Sequence, residues 1–315
     1  MKIHLASVSG GKDSTAMCLW LKEQEIEYRA VHFDTGWEHD LTVEYLRDTL
    51  PQFIGPIEVH SREPKLDEER EAYAVEVEEM LGWRSPFVRW IIKRGMFPGR
   101  MRRYCTQELK VFTARDVMRE CHKNGELPVN VVGIRAAESK ARSKLSEREI
   151  STTLDCMVWR PLLKWTERDI IAIHKRHGCP PNPLYLQGAR RVGCFPCIMS
   201  GKADLRMLDE KRIQIIERLE EITNLLMTRR RIEQGKPVPD PPHFFQATRV
   251  MSVDGKFPCV PIRRMVEWSK TKRGGKELDR QASLPGLNDG CLRWGMCDLG
   301  SSERREDYEP DPITG

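Results

Sequence analysis

A glycine-rich loop, SGGKDS at residues 9–14, separates an apolar stretch from a helical pattern near the start of the 315-residue chain. Gly10 and Gly11 permit positive φ angles and let the backbone approach a ligand closely. The amides of such a turn, and of the helix after it, point towards a bound anion. Three side chains add hydroxyl groups and a full positive charge: Ser9, Lys12 and Ser14. The loop therefore predicts phosphate binding; the alternative is a tight turn in which Asp13 only caps the helix.

The carboxylate of this loop, Asp13, directly follows Lys12. Mg²⁺ prefers oxygen ligands and is usually bound through phosphates and one or two carboxylates. Asp13 therefore predicts a Mg²⁺ ion held on the bound phosphates. The loop is not a Walker loop, which has four residues between its first glycine and the Gly-Lys-Ser/Thr end.

A second charged segment, GIRAAESKAR at residues 133–142, follows the apolar stretch PVNVV. If that stretch is a parallel strand, the segment lies at the carboxyl ends of the strands, where ligands bind. Arg135 and Arg142 offer planar donor groups suited to phosphate or sulfate, and Glu138 either orients an arginine or holds a metal. The segment predicts an anion site; a solvated charged loop is the alternative.

Five of the ten cysteines lie at spacings that suit metal or redox chemistry. Cys194 and Cys197 form a C-x-x-C pair, Cys291 and Cys297 form a wider pair, and Cys105 lies in CTQELK. Thiolates in this pattern suit Zn²⁺ or an iron–sulfur cluster. A thioredoxin-like redox pair is disfavoured, because CFPC does not open an α/β unit. We expect three further cysteines to be buried as small apolar side chains: Cys18, Cys121 and Cys156.

The C-terminal part of the chain is basic and irregular. Residues 229–280 contain 13 lysines and arginines against 6 aspartates and glutamates, an excess of +7, whereas the whole chain carries +5. This excess, with Trp268 among the cations, predicts a surface for nucleic-acid backbone on which a base could stack. A solvated face with a core tryptophan is an equally good interpretation. We expect three residues of this part to pack onto the domain: His243, Phe244 and Phe245.

Alternating apolar stretches predict the elements that must position these residues. KIHLASV, YRAVHFD, IGPIEVH and LPVNVVGI are typical of buried strands, and helical patterns separate them. This alternation predicts an α/β fold, a parallel sheet with helices on both faces. Residues 67–94 and 106–123 are predicted to be helical, the second with Thr106 as its N-cap. Thr166 and Gly178 are predicted to bound a further helix.

The chain is divided by composition near residue 203. We predict a nucleotide-binding domain over residues 1–203, and a region over 204–315 with a long charged helix at 205–234 and a basic Pro/Gly-rich extension that holds a cysteine pair. No apolar run of about 18 residues predicts a membrane span. The N-terminus has no signal-peptide pattern. We therefore expect a cytoplasmic protein without a membrane partner.

The loop SGGKDS resembles the PP-loop of the ATP pyrophosphatases, which grips the β- and γ-phosphates of ATP while the α-phosphate is attacked. Four further segments resemble, in the expected order, motifs of the phosphoadenosine phosphosulfate (PAPS) reductase-like branch: HFDTGWEH (32–39), RRYCTQELK (102–110), GIRAAESKAR (133–142) and VGCFPCIMSGKADL (192–205). The resemblance covers about residues 1–205. It implies an adenine nucleotide alpha hydrolase-like fold, and cleavage of ATP between its α- and β-phosphates to adenylate an acceptor in sulfur transfer.

The resemblance also implies roles for individual residues. Lys12 and the loop amides would stabilise the departing pyrophosphate, and Asp13 would hold Mg²⁺. Arg135 and Arg142 would clamp the acceptor side. Further nucleotide contacts are implied at the ends of the second and fourth predicted strands: Asp34, Thr35, Gly133 and Glu138.

An iron–sulfur cluster is implied by the same resemblance. In cluster-bearing sulfonucleotide reductases, a double cysteine lies in the segment matching Cys105, and a C-x-x-C follows it. Here Tyr104 replaces one of these cysteines. The expected 4Fe–4S cluster, favoured over Zn²⁺, would lie on Cys105, Cys194 and Cys197. Either the tail pair completes its ligands or one iron stays open.

Two other functions remain as alternatives. A sulfonucleotide reductase would reduce PAPS or adenosine phosphosulfate with electrons from a thioredoxin-like protein, using Cys297 as nucleophile. An adenylating enzyme would instead need a sulfur donor. The Lys12–Asp13 pair favours ATP cleavage, because true reductases bind no β,γ-pyrophosphate. A non-catalytic nucleic-acid-binding protein with a structural Zn²⁺ is the third class, and the intact loop argues against it.

Overall fold

A six-stranded sheet forms the centre of the protein, whose computed structural model describes residues 1–99, 102–246 and 259–271 together with Trp294. The spatial order of the strands is β3–β2–β1–β4–β6–β5. Their bounds are β1 (Lys2–Val8), β2 (Arg29–Phe33), β3 (Ile57–His60), β4 (Leu127–Val132), β5 (Arg148–Ser151) and β6 (Cys156–Trp159). Neighbouring strands are parallel, except that β5 runs antiparallel to β6. The predicted α/β class is confirmed, and the sheet has one antiparallel edge strand that the sequence pattern did not predict.

Helices alternate with these strands along the chain. Their bounds are α1 (Lys12–Glu23), α2 (Asp40–Glu44), α3 (Pro51–Ile54), α4 (Glu68–Leu81), α5 (Pro86–Arg94), α6 (Tyr104–Thr106), α7 (Phe112–Lys123), α8 (Glu167–Arg176), α9 (Pro183–Leu186), α10 (Lys202–Arg206), α11 (Glu210–Glu233) and α12 (Ile262–Ser269). π-Helical turns follow α2 (Tyr45–Thr49) and α6 (Gln107–Val111). None of the helices in the described residues has both the length and the apolar character that crossing a membrane requires.

Helices cover both faces of the sheet, because successive side chains of a strand point to opposite faces. In β1, Leu5 packs in a core with Val117 and Met118 of α7. Its neighbour Ala6 packs in a second core, on the other face, with residues of α1 and α8. With both faces covered, the carboxyl ends of the parallel strands remain as the open edge at which a ligand can bind.

A third hydrophobic core surrounds the buried Trp37 and joins α4, α5, α11 and α12. Phe244 and Phe245 lie in this core, which confirms that this part of the tail packs onto the domain. Two short strands, β7 (Phe245–Gln246) and β8 (Cys259–Val260), pair antiparallel. The division at residue 203 stays a prediction, and this core contains residues from both sides of it.

Three of the predicted helices differ from the structure. The long helix expected over 205–234 begins only at Glu210, after the separate helix α10 ends at Arg206. The helix expected over residues 67–94 is two helices, because Gly82 ends α4 with a φ of 94° and Pro86 begins α5. Thr106 is not an N-cap, since its φ and ψ of −67° and −42° are helical and the helix already begins at Tyr104.

The boundaries of α8 follow the prediction. Thr166 caps its N-terminus, where the hydroxyl accepts a hydrogen bond from the backbone of Asp169 and the Asp169 carboxylate accepts one from the backbone of Thr166. Gly178 follows its C-terminus with a φ of 61°, a left-handed conformation that glycine adopts without a steric cost. α8 is thereby fixed beside α1 and supplies several contacts to the glycine-rich loop.

Candidate functional site

The glycine-rich loop connects β1 to α1 at the open edge of the sheet. Gly10 has a φ of 70°, and a Cβ at this position would lie 3.0 Å from the Cγ2 of Thr42. The Ser14 hydroxyl accepts a hydrogen bond from the backbone of Ser9 (3.2 Å) and donates one to the carbonyl of Gly11 (2.9 Å). Ser14 therefore closes the loop on itself, in addition to the ligand-binding role predicted for it.

Three side chains from a later part of the chain hold the same loop. The Tyr185 hydroxyl accepts a hydrogen bond from the backbone amide of Lys12 (3.2 Å), and the His174 Nε2 donates one to the Lys12 carbonyl (2.9 Å). The Asn182 side-chain amide donates to the carbonyl of Gly10 (3.2 Å). The sequence analysis did not identify these residues, because no local pattern marks a contact between positions more than 160 residues apart.

Trp294, from the C-terminal part of the chain, packs against two of the three side chains that hold the loop. Trp294 is buried, and its ring lies 5.2 Å from the ring of His174 and 6.0 Å from that of Tyr185. Both of these rings contact Lys12 through hydrogen bonds. Trp294 is therefore part of the packing behind the glycine-rich loop.

The charged residues of the loop form a compact network. The Lys12 ammonium lies 2.9 Å from the Asp13 carboxylate and 3.6 Å from that of Glu167, and Arg135 pairs with the other oxygen of Asp13. Burial raises the pKa of Asp13, but the positive charges of Lys12 and Arg135 outweigh it and hold the pKa below its ordinary value. Asp13 is therefore a carboxylate, and its two oxygens are each paired with a cation.

The end of β4 lies directly against the loop. A Cβ at Gly133 would lie 2.6 Å from the carbonyl oxygen of Asp13 and 2.9 Å from the Cα of Ser14, so only glycine fits there. After it, the Glu138 carboxylate accepts a hydrogen bond from the backbone of Arg135 (2.9 Å) and forms an ion pair with Arg142. Glu138 thus orients the arginines, one of the two roles predicted for it.

Residues at and just after the end of β2 form another side of the candidate site. The Glu38 carboxylate accepts hydrogen bonds from the Thr35 hydroxyl (2.7 Å) and the backbone of Trp37 (3.0 Å), and the Asp34 carboxylate accepts one from the backbone of Gly36 (2.8 Å). Burial, and secondly the charge of Glu38, raise the pKa of Asp34. Asp34 and Thr35 lie at the strand end, where the sequence predicted nucleotide contacts.

The C-x-x-C segment is joined to this strand end. Glu38 forms an isolated antiparallel bridge with Cys194, and the backbone of Phe195 donates to the Trp37 carbonyl (2.7 Å). The Thr35 hydroxyl lies 3.7 Å from the Sγ of Cys194. The thiol segment and the β2 end are therefore one continuous piece of structure.

Three of the five predicted metal-ligating cysteines meet in one cavity of about 250 Å³, which Cys105, Cys194 and Cys197 line together with Lys110. Burial raises the pKa of Cys194 to about 11, although Lys110 opposes the shift. In turn the pKa of Lys110 is raised, chiefly by Cys194. The other two predicted ligands, Cys291 and Cys297, lie outside the described residues.

A larger cleft of about 1020 Å³ opens beside this cavity. It is lined by the glycine-rich loop, the β2 end and the segment after β4. Several residues line both spaces, among them Ser9, Arg103, Lys110 and Arg142. The glycine-rich loop and the thiols therefore face adjoining spaces with a basic lining between them.

Comparison with known proteins identifies the family. A family model described as the phosphoadenosine phosphosulfate reductase domain matches residues 3–200. The chain belongs to this family. The match contains the glycine-rich loop, the β2 end, the segment after β4 and the C-x-x-C pair.

Relatives of this PAPS reductase-domain protein differ in what is known of them. An uncharacterized 37.8 kDa protein of Escherichia phage 186 is 33% identical over 315 residues, covering 89% of this chain and 92% of that protein. The adenosine 5'-phosphosulfate reductase of Burkholderia cepacia is 28% identical over 143 residues, which are 42% of this chain and 52% of that enzyme. The chain thus matches about half the length of that reductase. A solved PAPS reductase of Candida auris, in a phosphate complex, covers 62% of this chain and 82% of its own, with 15% identity and a TM-score of 0.44.

The three thiols of the cavity in this PAPS reductase-domain protein fit the ligand set of a multinuclear cluster. Among the described residues, three ligand atoms of this kind lie within 4.8 Å of one another only at His32, Asp34 and Glu38, so the three cysteines are spread more widely. A single Zn²⁺ with bonds of about 2.3 Å to sulfur needs its thiolates closer together. An iron–sulfur cluster places several metal ions between its ligands, and the soft thiol donors and the nearby Lys110 charge fit such a group.

The described part of the basic tail is largely engaged in ion pairs and packing. Arg263 forms salt bridges with Glu210 and Glu217, each with an N–O distance of 2.6 Å. Trp268 packs partly buried against the third core, with the Lys202 ammonium 4.4 Å from its ring. This environment agrees with the core-tryptophan interpretation of Trp268.

Proposed function

We propose that this protein binds ATP in the larger cleft and cleaves it between the α- and β-phosphates, adenylating an acceptor in sulfur transfer. The observation that carries the proposal is the pairing of Lys12 with Asp13 at the mouth of an anion-binding loop. A nucleophile of the acceptor would attack the α-phosphorus. The bond from that phosphorus to the bridging oxygen would break, and pyrophosphate would leave with the electron pair.

The residues of the loop would stabilise the leaving group. Negative charge develops on the pyrophosphate, and donors held in place before the reaction are the most effective at stabilising it. Lys12 is held by Tyr185 and His174 through its backbone, which leaves its ammonium within reach of the phosphates. Because both oxygens of Asp13 are paired, binding of Mg²⁺ by Asp13 would require Lys12 or Arg135 to turn towards the phosphates.

Cys105, Cys194 and Cys197 would hold the iron–sulfur cluster, which would supply sulfur or electrons beside the cleft. Basic residues line both spaces. They would bind an anionic intermediate between the nucleotide and the thiols. Lys110 would balance the charge of the thiolates.

A product analysis tests the proposal. With acceptor present, the protein should release AMP and pyrophosphate from ATP, and Lys12→Ala should lower the rate by about 100-fold or more. Lys22→Ala is the matched control, because Lys22 is on the same helix but hydrogen-bonds to the carbonyl of Phe53 at the surface. Release of ADP and phosphate would contradict the proposal.

A sulfonucleotide reductase is the second candidate. It is favoured by the similarity to adenosine 5'-phosphosulfate reductases and by the thiol cavity adjoining the cleft. In this activity Cys297 would attack the sulfur of PAPS or adenosine phosphosulfate, and adenosine 3',5'-bisphosphate or AMP would leave. Two electrons from the thiols of a thioredoxin-like protein would then release sulfite from Cys297. Sulfite formation without ATP consumption would favour this candidate over the first.

A nucleic acid is one acceptor class for the adenylating reaction. Binding through the basic tail would weaken with salt, with log K falling by about 0.7–0.9 per contacted phosphate for each decade of salt. Alanine at four positions, Arg263, Arg264, Lys270 and Lys272, should flatten this slope without changing ATP affinity. Because Trp268 packs against the core, Trp268→Ala should lower stability rather than remove a stacked base. Absence of RNA or DNA binding at low salt would exclude this acceptor.

A further inference from the structure

Three side chains of metal-ligating type meet at the carboxyl end of β2. His32, Asp34 and Glu38 each offer one ligand atom, and these atoms all lie within 4.8 Å of one another. No other group of three or more histidines, cysteines, aspartates and glutamates in the described part of the chain is so arranged. His32 and Glu38 also line the larger cleft, beside the glycine-rich loop.

The imidazole of this group is fixed in a form that can bind a metal. His32 is 7% exposed, and its Nδ1 lies 2.9 Å from the carbonyl oxygen of Val8. Because a carbonyl oxygen only accepts, Nδ1 carries the proton and Nε2 keeps its lone pair. Among the described residues Nε2 has no hydrogen-bond partner. A histidine held through one nitrogen by a backbone carbonyl is the usual arrangement of a metal ligand.

The two carboxylates are held in place by donors of their own loop. Glu38 is 3% exposed, and its carboxylate accepts hydrogen bonds from the Thr35 hydroxyl and the backbone N–H of Trp37. The Asp34 carboxylate accepts one from the backbone N–H of Gly36. Each carboxylate oxygen has two lone pairs, so these bonds orient the groups and leave lone pairs for a cation.

We propose that His32, Asp34 and Glu38 bind a divalent first-row transition-metal ion at the wall of the cleft. One imidazole and two carboxylates suit ions such as Mn²⁺, Fe²⁺ or Zn²⁺, and they supply none of the thiolates that an iron–sulfur cluster requires. Bonds of about 2.0–2.2 Å would draw the three ligand atoms slightly closer together. Three protein ligands leave coordination positions open towards the cleft, where water or an anionic substrate would bind.

Titration of the full-length chain with Mn²⁺, after removal of metals by a chelator and without nucleotide, tests the site. Mn²⁺ is chosen because it prefers oxygen and nitrogen ligands to thiolates, and its free form is followed by electron paramagnetic resonance. One ion should bind per chain. His32→Asn, which keeps a donor for the Val8 carbonyl, and Glu38→Gln should each weaken binding by about tenfold or more.

Two controls separate this site from other parts of the cleft. Glu167→Gln removes a carboxylate that lines the same cleft, and Asp13→Asn removes the carboxylate of the glycine-rich loop. Both should leave the Mn²⁺ affinity within about twofold, because neither belongs to the group of three. Thermal melts in chelator establish that each variant is folded.

Three results would overturn the proposal. One is the absence of Mn²⁺ binding by the wild-type chain. Another is an unchanged affinity in a folded His32→Asn or Glu38→Gln variant. A third is equal loss in Asp13→Asn, which would place the ion on the glycine-rich loop.

Discussion

Arg135 at the end of β4 forms an ion pair with Asp13 in the glycine-rich loop, 122 positions earlier in the chain. Both side chains are mostly buried, with 7% and 15% of their surface exposed. The pair joins the anion-binding loop to the arginine segment, which the sequence predicted as two separate motifs.

The strength of this pair can be measured with a double-mutant cycle. For Asp13→Asn and Arg135→Gln, we expect a coupling of about 1–3 kcal/mol in the free energy of unfolding, since contacting charged residues are not additive. Urea denaturation of the wild type, both single variants and the double variant gives this value. A coupling near zero would mean that the two side chains are independently solvated.

Gly133 should not tolerate even one added carbon. Gly133→Ala places a methyl group 2.6 Å from the carbonyl oxygen of Asp13, so we expect a loss of about 1–3 kcal/mol of stability and weaker nucleotide binding. Gly99→Ala is the control, because a Cβ there meets no atom within 4 Å. Denaturation curves and nucleotide titrations of the two variants should differ clearly; equal behaviour would show that the β4 end can move away from the loop.

Cys194 lines the thiol cavity and is a proposed ligand of the iron–sulfur cluster. In anaerobically purified protein, Cys194→Ser should lower the iron content by about tenfold and bleach the cluster absorbance. Cys259→Ser should leave both unchanged, because Cys259 is exposed and does not line the cavity. Metal analysis with visible spectroscopy measures both effects. Stoichiometric zinc without iron in the wild type would reduce the site to a structural one.

The histidine behind the loop predicts a pH dependence of stability. Burial holds the pKa of His174 below its ordinary value of 6.5. The unfolded chain therefore takes up a proton first as the pH falls, so stability present above pH 6.5 is lost below it. His174→Gln keeps a donor for the Lys12 carbonyl but does not titrate, so the decline in unfolding free energy from pH 7.5 to pH 5 should be shallower. Parallel curves for the two proteins would contradict this role.

Local patterns predicted most of the sheet and the loop. The strands β1 to β4 are apolar runs bounded by turn residues, and such runs can be identified from neighbouring residues in the sequence alone. The hairpin of β5 and β6 was not predicted, because REIS is mostly exposed and polar and its pairing is decided by the neighbouring strand. The break at Gly82 shows the same limit, since helical periodicity continues on both sides of it.

The candidate site was predicted only where a local sequence pattern marks its residues. The loop carries its own signature, so Lys12 and Asp13 could be identified from sequence. Tyr185, Asn182 and His174 act on it only through tertiary structure. His32 in β2 and Asp34 just after it are two positions apart at a strand end, but the sequence analysis did not interpret them as a ligand set.

The β-bridge between Glu38 and Cys194 pairs a stretch of main chain beside the cleft with the main chain of the thiol segment. A ligand that shifts Cys194 has to shift the backbone of Glu38 with it. By thermodynamic linkage, the effect is reciprocal. If ligation of the thiols changes the affinity of the cleft for its ligand by some factor, occupancy of the cleft changes the affinity of the thiols for their ligand by the same factor. If the cleft binds a nucleotide as proposed, ligation of Cys194 would therefore change the affinity for that nucleotide.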